Sequence, residues 1–300
     1  MKLGGHETFY PRPGWLTKGL LHLHDDGAGV FSAPETADRL GVGRNMAKSI
    51  GWWLDATGLA IRASRNGPLE LTPLGTAVVE HDPYMVRLGT WWLVHASAMT
   101  CGMKTSLPWF FAPRRPERCD RTILTETLLR ELSPARGKAP AIKTIQREVA
   151  AVMQTWAVPV PRPRIDPEDN LGSPFHRLDL WRHLRGADRF ERSEPTPTPP
   201  EALGLVLSAL HMSHSCNDLR EGVLQDISIG SASVTRAAAM LGRSREALLE
   251  LAVSGERDLG APVLSVRTLA GERSIFLPSA TAATWARRFY DRIGAAREAA

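Results

Sequence analysis

The stretch SAPETADRLGVGRNMAKSIGWWLDATGLAIRASRNGPLELT, Ser32 to Thr72, decides the fold. Ser32 and Glu35 have capping-box spacing with Pro34 just inside, which predicts a helix over Pro34 to Leu40 stopped at Gly41. Val42-Gly43 is a tight turn into a helix from Arg44 to Thr57, ended by Gly58. At about 100° per residue, Met46, Ile50, Trp53 and Thr57 share one stripe, with Leu54 at its edge. Arg44, Lys48, Gly51 and Asp55 fall opposite, with Asn45 and Trp52 on the flanks. A basic, amide-bearing N-terminal half on the free face of an amphipathic helix is what a major-groove recognition helix requires. Two short runs, Leu59 to Arg65 and Pro68 to Thr72, flank Asn66-Gly67, a strong hairpin signal. That hairpin carries Arg62 and Arg65 toward phosphate. Trp15 to His24, with Leu16, Leu20 and Leu23 on one side, supplies a preceding helix, and another starts at Leu71-Thr72-Pro73. This is the grammar of a winged helix-turn-helix over residues 1–83. Winged helices also dock proteins, so the element order leaves DNA and protein partners both open.

Outward from this segment, 300 residues predict two or three domains. Residues 84–194 read as a helical, basic middle domain. Tyr84 to Met99 is apolar; Asp120 to Leu132 repeats Ile123, Leu124, Thr127 and Leu128 at helical spacing. Ile142 to Trp156 places Ile145, Val149, Val152 and Trp156 on one face, and Lys143, Gln146 and Arg147 on the other. The proline-rich stretches at 112–118, 158–164 and 195–200 predict extended chain, the last as a linker. Residues 201–300 repeat the first grammar: helices over Glu201 to Ser213, Ser233 to Leu241 and Arg245 to Val253, then a hairpin turning at Ala270-Gly271 and a last helix from Thr281. A second winged helix fits, but Glu246 and Glu250 along its reading helix favour docking over DNA. The predicted class is mainly α with small β-hairpin wings.

The formal charge is +5, from 37 Lys+Arg against 32 Asp+Glu. Between Lys104 and Arg164 there are 12 basic and 5 acidic residues, so the excess is concentrated in the middle domain. Lys143 and Arg147 are therefore candidates, with Arg44, Asn45, Lys48, Arg62 and Arg65, for contact with a DNA backbone. Cys101, Cys119 and Cys216 are odd in number and far apart, which argues against a disulfide framework and a zinc finger. No apolar signal region opens the chain, and the expected location is a reducing cytoplasm. No phosphate loop, dinucleotide fingerprint, His-Glu-x-x-His or nucleophile elbow is present. His6, Glu7, His22, His24, Asp25 and Asp26, and the cluster from His211 to Asp218, hold ligand-type side chains without an established metal spacing.

Gly5-His6-Glu7-Thr8-Phe9, Arg12, and Gly14-Trp15-Leu16-Thr17-Lys18-Gly19 resemble the opening of a bacterial family of unknown-function designation, encoded in defence islands beside DNA phosphorothioation genes. Asp169 to Phe175 is similar to its second signature. The resemblance covers nearly the whole chain and points to SspB-like components of single-strand phosphorothioation systems. It implies a DNA-binding protein that nicks one strand so that sulfur enters the backbone. It also implies partners: a cysteine desulfurase, an ATPase and an ATP-pyrophosphatase-like sulfur-transfer subunit. His6, Glu7, Arg12 and Lys18 match the first signature. Nicking needs a base or metal to make the nucleophile, and cations to stabilise the pentacovalent charge. Glu7 or His6 would serve the first need, directly or through Mg²⁺, and Arg12 and Lys18 the second. The same string also reads as an arm packed by Phe9 and Trp15, with Glu7 paired to Arg12 or Lys18. Without the resemblance, the alternatives are a non-enzymatic winged-helix transcriptional regulator and an assembly adaptor.

Overall fold

The computed structural model describes residues 3–62, 64, 67–100, 105–113, 115–132, 140–160, 172–212, 221–269 and 271–298. The chain is mostly helical, with three small sheets among the described residues.

An N-terminal arm leads into α1 (Trp15–Asp26), which buries Trp15, Leu16, Leu20 and Leu23 as their spacing predicts. The capping box at Ser32 is not made. Ser32 closes a single 3-10 turn, α2 spans Thr36–Leu40, and Glu35 stands at its N-cap without a side-chain bond. The Thr36 hydroxyl instead bonds to the carbonyls of Val30 and Ala33, so that turn occupies the residues the cap would have used. Gly41 ends α2 in the left-handed region, where a side chain would be strained. Then come α3 (Arg44–Ala56), β1 (Ala60–Arg62) and β2 (Leu69–Leu71), the strands pairing antiparallel with Arg62 opposite Leu69. Arg65 and Asn66 lie outside the described residues. Thr72 caps α4 (Pro73–His81), accepting the Gly75 N–H at 3.1 Å.

In the middle region α5 (Leu88–Thr100) is buried along nearly its whole length, followed by α6 (Leu107–Phe110). Besides helices, this region holds a sheet that helical periodicity did not predict. β3 (Arg118–Cys119), β4 (Ala157–Val160), β5 (Trp181–Leu184) and β6 (Arg189–Arg192) lie in the order β3-β6-β5-β4, with β4 and β5 parallel. β4 is an edge strand, which is where a sheet accepts Pro159. The helix α7 (Arg121–Leu132) buries Leu124, Thr125, Leu128 and Leu132 but exposes Ile123, one position off the predicted stripe. The next, α8 (Ile142–Trp156), has the predicted bounds and buries Ile145, Val149, Val152 and Trp156.

The stretch at 195–200 is extended, as its prolines predict, but packed: Thr198 and Pro200 are buried. From it runs α9 (Pro200–Met212), then β7 (Leu224–Ser228), α10 (Ala232–Met240), α11 (Arg245–Leu259), β8 (Ser265–Leu269), β9 (Glu272–Pro278) and α12 (Ala282–Glu298). Serine hydroxyls cap α10 (Ser231) and α11 (Ser244). β7 joins the hairpin as a third strand in the order β7-β9-β8. α11 runs past its predicted end at Val253 to Leu259; at Gly255 the helix packs so closely on Leu264 and Pro200 that a Cβ would lie 2.5 Å from Leu264. One buried apolar cluster extends from Trp15 to Tyr290, joining α5 to α9 and α12 to α4. Among the described residues no helix is long and apolar enough to cross a membrane.

Candidate functional site

One groove lies on the exposed side of α3, and a second lies between α8 and the N-terminal arm that packs on α3. Arg44, Asn45 and Lys48 are exposed at its N-terminal half, as the helical projection predicts. The free face ends there: Phe31 covers Gly51, and Trp52 packs edge-on against His6 and Trp53 with centroids 5.3 and 4.8 Å away. On one side, Arg44, Lys48 and Arg62 line a groove of about 280 Å³ floored by Phe31, Ala33 and Pro34. Arg62 gives Nη1 to the Gly67 carbonyl at 2.9 Å, which ties its guanidinium to the hairpin beside α3. Three cations converge here without a carboxylate in the lining, an arrangement suited to an anionic backbone.

On the other side lies the N-terminal arm. The Ser49 hydroxyl donates to the His6 carbonyl at 3.0 Å, and Trp53 Nε1 to the Phe9 carbonyl at 3.0 Å. His6 and Glu148 are both buried, at 2% and 1% exposure. The Thr8 N–H donates to His6 Nδ1 at 3.1 Å. Nδ1 is therefore the unprotonated nitrogen, and Nε2–H donates to Glu148 Oε2 at 3.1 Å. Glu148 Oε2 also accepts the Gly4 N–H at 2.5 Å, and Oε1 accepts the Ser106 hydroxyl. The buried carboxyl group thus holds three donors, two from the arm and one from Ser106, so its oxygens do not lie unpartnered in the core.

The arm's backbone is unusual. Gly4, Gly5, Glu7 and Thr8 all have positive φ, at 72°, 97°, 49° and 68°. Two consecutive non-glycine residues there cost of order 1–3 kcal/mol each, and the surrounding contacts hold them. At Gly5 the requirement is also steric, since a Cβ would lie 2.5 Å from the Trp52 ring. The turn presents the exposed Glu7 on a groove of about 510 Å³ lined also by His6, Thr8, Thr144, Arg147 and Glu148.

Of the residues singled out in the sequence, this groove unites His6, Glu7 and Arg147. Arg12 and Lys18 do not line it: Arg12 lies over the Trp15 ring at 5.8 Å, and Lys18 Nζ reaches the Leu40 carbonyl at 3.5 Å. Phe9 and Trp15 are in edge contact as arm anchors, with centroids 6.0 Å apart. Lys143 is exposed on α8, and Arg65 lies outside the described residues. His22 pairs with Asp26 at 3.0 Å, which holds that carboxyl below its usual range. Most of the cluster after His211 lies outside the described residues. Glu148, Ser106, Ser49 and Trp52 were not singled out. Only Glu148 carried a signal, as a carboxylate three residues after Ile145 beside the buried stripe of α8.

The chain belongs to the family described as protein of unknown function DUF4007, whose model matches residues 3–250. Its fold is that of SspB. A structure described as "SspB crystal structure" matches with a TM-score of 0.78 and 22% identity, covering 97% of this chain and 88% of that one. A "Magnesium ion-bound SspB crystal structure" matches at 0.76 and 20% identity, covering 99% and 96%. No curated protein matches the sequence.

Proposed function

We propose that this protein is the DNA-binding, strand-nicking component of a DNA phosphorothioation system, working in the cytoplasm with a cysteine desulfurase, an ATPase and an ATP-pyrophosphatase-like subunit. The observation that carries the reading is a cationic groove on α3 together with a second groove between the arm and α8. The first gathers Arg44, Lys48 and Arg62; Glu7 and Arg147 both line the second. In this reading α1–α3 and the β1–β2 hairpin form a winged helix-turn-helix over 1–83. Residues 84–194 supply the basic flank, and β7–α10–α11–β8–β9 forms a second winged unit within 201–300.

Nicking adds water to a phosphodiester and releases one alcohol, so one proton must leave the water and one must reach the leaving oxygen. Glu7 is the exposed carboxylate that would take the first, solvent water would give the second to the leaving oxygen, and Arg147 is the cation that would face the developing charge. His6 has both ring nitrogens committed and acts as a positioning residue for the turn. Arg12 and Lys18, outside the groove, would contact the backbone further along. Among the described residues no three His, Cys, Asp or Glu side chains gather as a metal cage. Mg²⁺ is commonly held by one or two carboxylates with water and substrate phosphate. Glu7 meets that need, whereas Glu148 already carries three donors. A bound Mg²⁺ would supply Lewis-acid stabilisation of the phosphate.

The test is supercoiled plasmid with Mg²⁺ and the partner subunits. Open circles are expected. Glu7→Gln should lose about a hundredfold or more in rate while duplex affinity holds. Arg44→Ala with Lys48→Ala should flatten the salt dependence of binding by about two phosphate contacts. Intact supercoils at stoichiometric protein would remove the nicking reading. The full engagement of His6 and Glu148 favours a second reading, a non-enzymatic DNA-binding regulator, which predicts tight binding to one operator and no open circles.

A further inference from the structure

Between the β3-β6-β5-β4 sheet and the turn from α10 to α11 lies a polar cleft of about 540 Å³. Its four arginines fall into two classes. Arg115 pairs with Glu131 at 2.8 Å while stacking 3.9 Å over Trp109, and Arg118 lies 3.5 Å from Glu191. Arg192 and Arg243 have no carboxylate within ion-pair distance among the described residues. Arg192 gives Nη1 to the Ala239 carbonyl at 3.0 Å and rests 4.8 Å over the Trp181 ring. Arg243 gives Nε and Nη2 to the Thr198 hydroxyl at 3.1 and 2.9 Å, and Nη2 to the Thr196 carbonyl at 3.2 Å. All these acceptors are neutral.

Both guanidiniums are partly withdrawn from water, Arg192 more than Arg243. Burial brings the pKa of Arg192 down to about 10 and lowers that of Arg243. Cations taken out of water are ordinarily paired, because neutral acceptors recover only part of the lost hydration. Each guanidinium carries five N–H donors, more than the neighbours named here accept. Between them Ser193 Oγ is buried with no hydrogen-bond partner among the described residues, although it lines the same cleft. Two part-buried cations without an ion-pair partner among the described residues, and an orphaned hydroxyl, on one cleft are complementary to an oxyanion.

We propose that this cleft binds a phosphate-class oxyanion, held by Arg192 and Arg243 with the Ser193 hydroxyl as neutral donor. A tetrahedral phosphate presents several acceptors at once, which suits two guanidinium forks approaching from different elements. Two carboxylates also line the cleft, Glu117 and Glu191, the latter 3.5 Å from Arg118; against four arginines, of which Arg115 is already paired with Glu131, the cleft keeps a positive balance. The phosphate belongs either to a nucleic-acid backbone or to a free nucleotide. The inference does not depend on α3 or on nicking.

The experiment is calorimetric titration of the full-length protein with inorganic phosphate and with pyrophosphate. Saturable binding in the millimolar range or tighter is expected. Arg243→Gln should weaken it by about tenfold or more, and Arg192→Lys, which keeps the charge but loses the fork, should weaken it too. Arg44→Ala with Lys48→Ala should leave it unchanged, which separates this site from the α3 groove. Circular dichroism checks folding. If Arg192→Lys loosens the packing on Trp181, the half-exposed Arg243 still carries the test. Displacement of pyrophosphate by ATP assigns a nucleotide, and displacement by a short duplex assigns a backbone. No saturable binding, full affinity in Arg243→Gln, or displacement by neither competitor would overturn the proposal.

Discussion

Replacing Glu148 is the sharpest test of how the N-terminal arm is held. Glu148→Ala removes one acceptor group and strands three donors: the Gly4 N–H, His6 Nε2–H and the Ser106 hydroxyl. A buried donor left unmade costs about 1–3 kcal/mol, and the hydroxyl can turn to another acceptor, so two or three such losses come to roughly 3–5 kcal/mol. Glu148→Gln should behave differently. Its amide oxygen can accept from Gly4 and His6 while its NH₂ donates to Ser106 Oγ, so the network survives without its charge, at a cost of about 1–2 kcal/mol.

The measurement is urea unfolding of wild type, Glu148→Gln and Glu148→Ala, with limited proteolysis to read release of the arm. The expected order is wild type, Gln, Ala. Arm cleavage should be accelerated most in Ala, because undocking is the local route by which the stranded donors regain water. An Ala variant within about 1 kcal/mol of wild type, or equal to Gln, would refute the reasoning, since it would mean that the three bonds contribute nothing.

Two further outcomes follow from the same geometry. Gly5→Ala should cost about 1–3 kcal/mol and speed arm cleavage, because φ is 97° and the new methyl would meet Trp52; unchanged proteolysis would contradict it. His95 is fully buried, with Nε2 bonded to the Met240 carbonyl and Nδ1 accepting from Trp156 Nε1, and burial lowers its pKa to about 4. The unfolded chain, with an ordinary histidine near 6.5, therefore binds more protons than the folded one between those values. Its contribution is intact above pH 6.5 and lost as pH falls toward 4, by roughly 3 kcal/mol. His95→Gln should flatten that part of the stability profile, and an unchanged pH dependence would argue against it.

The legible parts of the fold are those where local chemistry and burial agree. The stripe of Ile50, Trp53 and Thr57 placed α3 correctly and Gly41 stopped α2, because each depends on residues close together in the chain. The β3-β6-β5-β4 sheet was not legible. Its pairs join Arg118 to Glu191 and Ala157 to Trp181, and strands of two to four residues carry little periodicity. The hidden part of the site has the same cause. Glu148 and His6 meet across 142 positions. The sequence distinguishes a glutamate that caps an arm from one that faces solvent only by the helical angle beside Ile145.

The geometry of α3 argues that the two grooves are coupled. Lys48 lines the cationic groove, and the adjacent Ser49 holds the His6 carbonyl. Successive residues on a helix point about 100° apart, so a shift of α3 toward a ligand at Lys48 displaces Ser49 relative to the arm. The arm has little slack: Ser49, Trp53 and Glu148 pin it from two helices, and its positive-φ residues have no relaxed alternative while those bonds persist. A shift of α3 would therefore reach the arm that carries Glu7, the exposed carboxylate lining that groove. A duplex seated on Arg44 and Lys48 would in this way set the position of the group proposed to act on it.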